Sequence, residues 1–417
     1  MLIHAILFTI LFIEQRWSEQ PNMDKTDTVR AERSPTARKE TLSLRIFSFS
    51  AYSTAAMVVS FIPLYFLDRG FSEQQIGIIY STGPFISIFA NLILGMASDK
   101  FRTIKKLLML LLFGQLVMIS LLLPIEHFAL VCLVMMGFYF FQTPINPLSD
   151  SLLLLSSQYT GTPYALIRIF GSLGFAVTAY TFGLILKQIG SHWTLPLALC
   201  TIAITLGLTT FIKDYQGSAR KIDFSGFFKL IRQRDVLLFF LIILTVSIPH
   251  RMYEGFLAVT MRQMGASDSL VGLAWLVSAM SEIPILFLLG KYGHKFKELP
   301  LLMIASVMYA VRLWLLSDIQ DPRWVVATQA MHSISFGIYF STALRYLSHL
   351  IPDEYRASGQ AVYAVVWTGL AGVISGMFGG FVYEHFGRET FFQMGTGFAL
   401  VAAVGFLSYH YFSRADR

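Results

Sequence analysis

Twelve runs of apolar residues, each long enough to cross a bilayer, dominate this chain of 417 residues. A crossing helix needs about 20 apolar residues, because the hydrocarbon core is about 30 Å thick. The first six runs lie near 44–66, 75–97, 104–123, 127–155, 164–187 and 192–212. The second six lie near 236–259, 269–290, 299–317, 323–349, 358–382 and 390–412. Lipid offers no partner to a bare peptide group, so runs of this length satisfy their amides as helices. The expected fold is an all-α integral membrane protein of twelve transmembrane helices, span 1 to span 12 in chain order. Charge supports this. Only 14% of residues are charged, against roughly 25% in soluble domains. That deficit excludes a soluble enzyme, a disordered chain and a nucleic-acid binder. Cys132 and Cys200 fall in apolar runs. They read as small hydrophobes, so no disulfide or metal site is expected.

The polar segments divide the chain. Residues 1–42 read as an N-terminal cytoplasmic tail, and 43–212 as a six-helix bundle. Residues 213–235 form a basic cytoplasmic linker, and 236–413 a second six-helix bundle. The apolar run Ala5 to Ile13 is too short to span and has no Lys or Arg ahead of it. It is not a signal peptide by those features. Met23 is a second candidate start, which would leave residues 1–22 untranslated. With the tail from Met23 onward inside, 23 Lys and Arg lie on the inner side and five on the outer side: Arg69, Lys187, Arg262, Arg323 and Arg388. The asymmetry puts both termini in the cytoplasm of a multi-pass plasma-membrane protein. It also accounts for the net charge of +7 without a nucleic-acid partner.

The halves repeat. At a shift of 195 residues, Gly70 falls on Gly265, Gly77 on Gly272 and Gly95 on Gly290. Lys100-Phe101-Arg102 falls on Lys295-Phe296-Lys297. At a shift of 197, Gly183 and Gly190 fall on Gly380 and Gly387. Matching glycines and loop charges predict two pseudo-symmetric six-helix bundles around a central cavity, the architecture of a secondary transporter.

Six charged residues sit well inside the spans, away from their ends: Asp150, Arg168, Arg251, Glu254, Glu282 and Arg312. Each opposes insertion by roughly 3 kcal/mol at a helix centre. Three acids balance three bases, which predicts pairing or a wet cavity. Gln142, Asn146 and Asp150 follow one another at four-residue spacing on span 4, a single polar stripe. Pro144 and Pro147 interrupt that span and free carbonyls toward the cavity. Asp150 comes late, so span 4 must run several residues past 155. His250 and Glu254 share a face of span 7, with Arg251 beside them. Trp275, Ser278 and Glu282 form a stripe on span 8, and His332, Ser335, Tyr339 and Thr342 one on span 10. His332 adds a group that titrates near neutrality.

Gly95-Met96-Ala97-Ser98-Asp99-Lys100-Phe101-Arg102, with Lys105 and Lys106, resembles the signature loop between spans 2 and 3 of the major facilitator superfamily. In such a gating loop Gly95 permits close helix packing, and Asp99 holds a neighbouring helix end in one state. Lys100 and Arg102 keep the loop in the cytoplasm. A glycine expected after the first basic residues is replaced by Phe101 to Thr103, and the second copy carries His294 in place of Asp99.

A closer resemblance follows. Pro147-x-x-Asp150, then Arg168 in Arg168-Ile169-Phe170-Gly171-Ser172, resembles the lactose permease pattern. Met280-Ser281-Glu282, Arg312, His332 and Tyr383-Glu384 resemble its motifs on spans 8 to 11. The phenylpropionate-permease and nucleoside–proton-symporter branches share the Arg168 region. The resemblance implies that Asp150 and Arg168 hold substrate, with Asn146, Gln142 and Trp367 beside them. It brings Glu282 close to Arg312. Glu282 is then the first candidate for the proton site and Glu254 the second, with His332 and Arg251 assisting. Departures are Ser335 in place of an acid, Gln329 in place of a lysine, Arg251 in place of an aspartate, and Trp367 and Thr368 where a lysine is absent. Trp367 and Phe175 offer flat apolar surface.

The expectation is therefore a proton-coupled symporter of a small polar or aromatic organic solute, working by alternating access. Asp150, Arg168, Glu282 and Arg312 should converge in one wet crevice at mid-membrane. No cofactor is expected, since the proton gradient supplies the driving force. The partners are the solute, the proton and the bilayer, and the chain should act as a monomer. An exporter on the same fold, or a non-transporting sensor, would show the same features. A channel suits two unlike halves less well. A membrane enzyme would show H-E-x-x-H or a nucleophile elbow, and neither occurs in the spans.

Overall fold

The computed structural model describes residues 35–215, 233–351 and 356–415. The start assignment at Met1 or Met23 and the middle of the linker fall outside the described residues. Among those described, every regular element is helical. Span 1 comprises Pro35–Ser60 and Ile62–Asp68, and span 2 Glu73–Phe101. Span 3 is Lys105–Leu122, and span 4 is Phe128–Gln142 with Ile145–Thr160. Spans 5 and 6 are Tyr164–Ile189 and Thr194–Thr209. Spans 7, 8 and 9 are Arg234–Gln263, Asp268–Tyr292 and Glu298–Asp318.

The last three spans are less regular. Ten segments are long and apolar enough to cross by themselves. Span 10 is broken: Pro322–Thr328 passes through a 3-10 turn at Gln329–Met331 and a π turn at Ser333–Gly337 before Ile338–Leu350. Spans 11 and 12 run together, from Arg356–Ala364 through a π turn at Val365–Leu370 into Ala371–Ala415. Gly387 breaks the last segment, with φ 80° and ψ 172°. Gly379 and Gly395, on either side of it, both face Met252. A straight helix would hold those glycines roughly 24 Å apart, so the chain doubles back. The arrangement is consistent with twelve crossings.

The repeat is legible in backbone geometry. Gly70 and Gly265 carry φ 84° and 83°, and Gly190 and Gly387 carry φ 91° and 80°. Glycine adopts this left-handed conformation without a Cβ penalty. Phe71 N–H donates to Phe66 O at 3.1 Å, and Ala266 N–H to Met261 O at 2.9 Å. Both close a helix by the same glycine motif, one repeat apart. A capping box of Ser72 and Gln75 then starts span 2.

The halves meet tightly at the end bearing these glycine turns. Span 2 packs on span 11, where a Cβ on Gly77 would stand 2.2 Å from the Gly376 carbonyl oxygen. Span 8 packs on span 5 in the same way, where a Cβ on Gly272 would stand 2.1 Å from the Ala179 oxygen. Small residues permit this backbone approach between membrane helices. Polar links reinforce it. Arg262 contacts Asp68 of the other half at 3.4 Å and Asp268 at 2.5 Å. Glu384 accepts from the Gln74 amide at 2.8 Å, and Gln263 binds Glu73.

The opposite end carries the basic loops. Asp214, just past span 6, accepts from the Ile104 and Lys105 amides at 3.0 Å each and from Thr103. Lys213 pairs with Glu40 at 2.7 Å. In the second half Arg345 pairs with Glu298 at 3.1 Å instead. Each half thus ties its own loop between two spans to a helix end nearby.

Candidate functional site

A cavity of about 870 Å³ opens between the two halves. The break in span 4 shapes one wall. Pro144 has no N–H to donate, and the helix restarts at Ile145, so Gln142, Thr143 and Asn146 reach the lining. Tyr80, Ser87 and Asn91 of span 2 continue that wall. Arg251 and Glu254 of span 7 and Thr368 of span 11 form the other. The lining on span 2 runs from Tyr80 to Gly95, toward the basic-loop end. Beyond Gly77, at the other end, the glycine contacts close the passage.

Arg251 and Glu254 pair at 2.6 Å. The same guanidinium donates to the Trp367 carbonyl at 3.3 Å and to Thr368 Oγ1 at 3.0 Å. Those acceptors lie in the π turn of span 11, a feature that often accompanies functional positions. Trp367 was expected at the substrate. It is 5% exposed and stacks on His250 at 4.8 Å and on Tyr339 at 4.9 Å. The π turn directs its ring into the second bundle and leaves Thr368 on the cavity wall.

Asp150 and Arg168 meet as a pair, Arg168 Nε to Asp150 Oδ1 at 2.9 Å. Span 4 continues to Thr160, which carries Asp150 away from the helix end. Tyr52 of span 1 donates toward Asp150 at 3.3 Å, and its ring lies 4.0 Å beneath the Arg168 guanidinium. Gly171 makes room for that ring. This cluster lies beside the cavity lining, whereas Gln142 and Asn146 of the same polar stripe are part of it.

Glu282 and Arg312 were expected to be neighbours, and His332 stands between them. Arg312 donates to His332 Nδ1 at 2.8 Å, and His332 Nε2 lies 3.0 Å from Glu282. Arginine is always a donor, so Nδ1 accepts and Nε2 carries the proton toward Glu282. Arg312 is 1% exposed, bonds Gln329 and lies 4.0 Å over the Tyr253 ring. The network joins spans 8, 9 and 10 inside the second half and stands outside the cavity lining.

The four charges therefore form two clusters, one per half, rather than one convergent site. Packing explains it. Spans 5 and 8 touch at Gly183 with Asp268, Ala179 with Gly272 and Phe175 with Trp275. Continuing that antiparallel register puts Arg168 and Glu282 at one depth on facing helices. They share a level without touching, because each already has a partner within its own bundle.

In the loop between spans 2 and 3, Gly95 lines the cavity with nothing within 4 Å of its Cβ position. It opens space here rather than permitting close packing. Lys100 and Arg102 are exposed, and Arg102 ends span 2 with φ 49°. The side chain of Asp99 lies outside what the structure describes. Sequence reasoning missed Tyr52, Tyr253 and Asp214. A tyrosine in an apolar run carries no signal of its partner, and Asp214 is hidden in a basic linker.

The comparisons agree with this architecture. The profile of the MFS_1 like family matches residues 41–394. The chain is 25% identical over 383 residues to the uncharacterized transporter YwbF of Bacillus subtilis (strain 168), covering 91% of this chain and 95% of YwbF. It is 26% identical over 362 residues to a probable 3-phenylpropionic acid transporter of Escherichia coli (strain K12), covering 85% and 93%. A solved structure of a variant of the nucleoside transporter NupG superposes with a TM-score of 0.81 at 18% identity, covering 88% of this chain and 99% of that one. The chain belongs to the MFS_1 like family and is a membrane transporter of the major facilitator type, not an enzyme.

Proposed function

We propose that the protein is a proton-coupled symporter that brings a small polar or aromatic organic solute into the cell. The observation that carries this reading is the cavity itself. It lies between two pseudo-symmetric bundles, is walled by an ion pair and amides, and is closed at one end only. The excess of basic residues assigns the open end to the cytoplasm. On this reading the cavity is that of an inward-facing stage of alternating access in the plasma membrane, with both termini cytoplasmic.

The gated parts follow from the contacts. Sealing the basic-loop end requires spans 5 and 8, and spans 2 and 11, to close below their glycine contacts. That movement brings Arg168 and Glu282 toward each other, and the glycine-turn end opens. Asp150 and Arg168 on one side, and Arg251 and Glu254 on the other, are the groups we assign to solute and proton. The relatives support a small organic solute, since one is named for 3-phenylpropionic acid and a fold neighbour for nucleosides.

The test is uptake by the purified full chain in proteoliposomes, with imposed pH gradients of each sign. The panel is a set of sugars, nucleosides and aromatic acids. Accumulation of one member against its gradient, driven by an outside-acid gradient, is expected. Accumulation only with the opposite gradient would assign export, and binding without flux would assign a sensor.

A further inference from the structure

Two acids compete for the role of proton site, and the cavity separates them. Glu282 is held by His332 outside the lining, whereas Glu254 is part of the lining. Behind Glu254 lies His250, one helical turn earlier on the same span and 3% exposed. His250 is held among aromatic rings. Trp367 stacks on it at 4.8 Å and Phe336 at 4.9 Å, with 8° between the Phe336 and His250 planes, and those two rings lie 6.2 Å from each other. Both rings come from π turns, in spans 10 and 11. Tyr309 of span 9 bonds Nδ1 at 3.1 Å. The remaining nitrogen, Nε2, therefore points at the Oε2 atom of Glu254, 3.8 Å away. That same Oε2 atom receives the Arg251 hydrogen bond at 2.6 Å.

Resting on the symport reading above, we propose that the transported proton binds the Glu254–His250 pair, and that this frees Arg251 to bind a carboxylate on the solute. Without the proton, Arg251 and Glu254 neutralise each other and the cavity offers an anion no free cation. A proton taken from the cavity water by this pair cancels the negative charge that holds Arg251. The guanidinium keeps Thr368 and the Trp367 carbonyl as supports and turns its free donors to the cavity. Proton and carboxylate then enter as a pair with no net charge. Linkage makes the effect mutual, so a bound carboxylate raises the proton affinity of the pair. On the cytoplasmic side the anion leaves, Arg251 returns to Glu254 and the proton departs.

The charged and titratable groups facing this pair are few. Arg251 and Tyr253 share its span, Tyr80 faces from span 2, Tyr309 and Arg312 from span 9, and His332 from span 10. Span 11 presents Thr368 and the Trp367 carbonyl to Arg251. Arg312 is already engaged by Gln329 and His332, which leaves Arg251 as the cation able to change partner. Between the polar groups the walls are apolar, with Val58, Ile88, Leu92, Phe256 and Val365. Such walls suit a hydrocarbon or aryl body with one charged head better than a sugar.

The experiment uses the full chain, with 3-phenylpropionate as the acid probe and its amide as the neutral isostere. Binding is followed between about pH 6 and 8, where the acid stays ionised. We expect the acid to bind at least ten-fold more tightly at the lower pH, and the amide to bind weakly with no pH dependence. Glu254→Gln should fix the acid affinity at one value across this range and abolish gradient-driven accumulation. Arg251→Gln should lose acid binding at every pH, and Arg251→Lys should regain part of it. Thermal unfolding of each variant confirms that it is folded. A Glu254→Gln variant that keeps pH-dependent affinity overturns the proposal. So does proton-driven accumulation of a neutral panel member with no binding of the acid, although the symport reading survives that result. No flux of any solute in either direction overturns both.

Discussion

Adding a methyl group at Gly77 tests whether the two glycine contacts seal one end of the passage. Its Cβ would stand 2.2 Å from the Gly376 carbonyl oxygen, where ordinary contact begins at 3.4 Å. Spans 2 and 11 would have to part by about 1 Å, and backbone cannot swing aside as a flexible side chain does. Overpacking of this kind costs about 1–3 kcal/mol. The cost falls only on the arrangement in which the glycine-turn end is shut, because the contact does not exist once that end opens. A bias of that size shifts the balance between the states about 5–150-fold. Gly272→Ala, on the repeat-related contact with Ala179, should act in the same direction, and the double variant further. The readout is labelling of Thr260→Cys by an impermeant maleimide applied to the outside of right-side-out vesicles. Cys132 and Cys200 are first replaced by serine. Thr260 is fully buried near the shut end, so its labelling rate reports opening. An unchanged rate in both single variants, together with a lowered unfolding temperature, would refute the reasoning. The cost would then fall on both states alike.

Three further outcomes follow from the contacts. Glu282→Gln should lower stability by about 1–3 kcal/mol in a thermal or denaturant unfolding series, because it weakens the acceptor that ends the buried Arg312–His332 chain. Gradient-driven uptake should persist in the folded fraction. In a double-mutant cycle with Asp150→Asn and Arg168→Gln, the pair should couple by only about 0.5–1 kcal/mol, since both side chains are partly open to solvent. The initial uptake rate should nevertheless fall at least ten-fold in each single variant. Asp214→Asn should remove part of the cap on span 3, at about 1 kcal/mol. Hydrogen exchange at the Ile104 and Lys105 amides should quicken while exchange in the core of span 3 stays unchanged.

The repeat offset shows how far sequence reasoning reached. Gly70 and Gly265, or Gly190 and Gly387, were matched by position, and each pair takes the same left-handed backbone. That worked because a turn needing positive φ leaves glycine as a visible trace. The π turns around Phe336 and Trp367 left no such trace. Their residues look like continuous apolar helix, and the inserted residue shows only in the hydrogen-bond ladder. Trp367 was accordingly placed at the solute, when its ring points into the second bundle. Arg168 and Asp150, eighteen residues apart on adjacent spans, were legible as a pair. The insertion of His332 between Glu282 and Arg312 was not.

The helical membrane fold, the two repeated halves and the identity of the intramembrane charges can be read from residue order alone. Hydrophobic length, glycine spacing and charge in apolar runs are local quantities that need no knowledge of neighbours. Which charge meets which, which end is shut and which acid faces the cavity emerge from helix packing. Those depend on helix rotation and on distances between residues far apart in the chain. A rotation of one residue about a helix axis carries a side chain through about 100°, enough to move Trp367 off the cavity wall and leave Thr368 upon it.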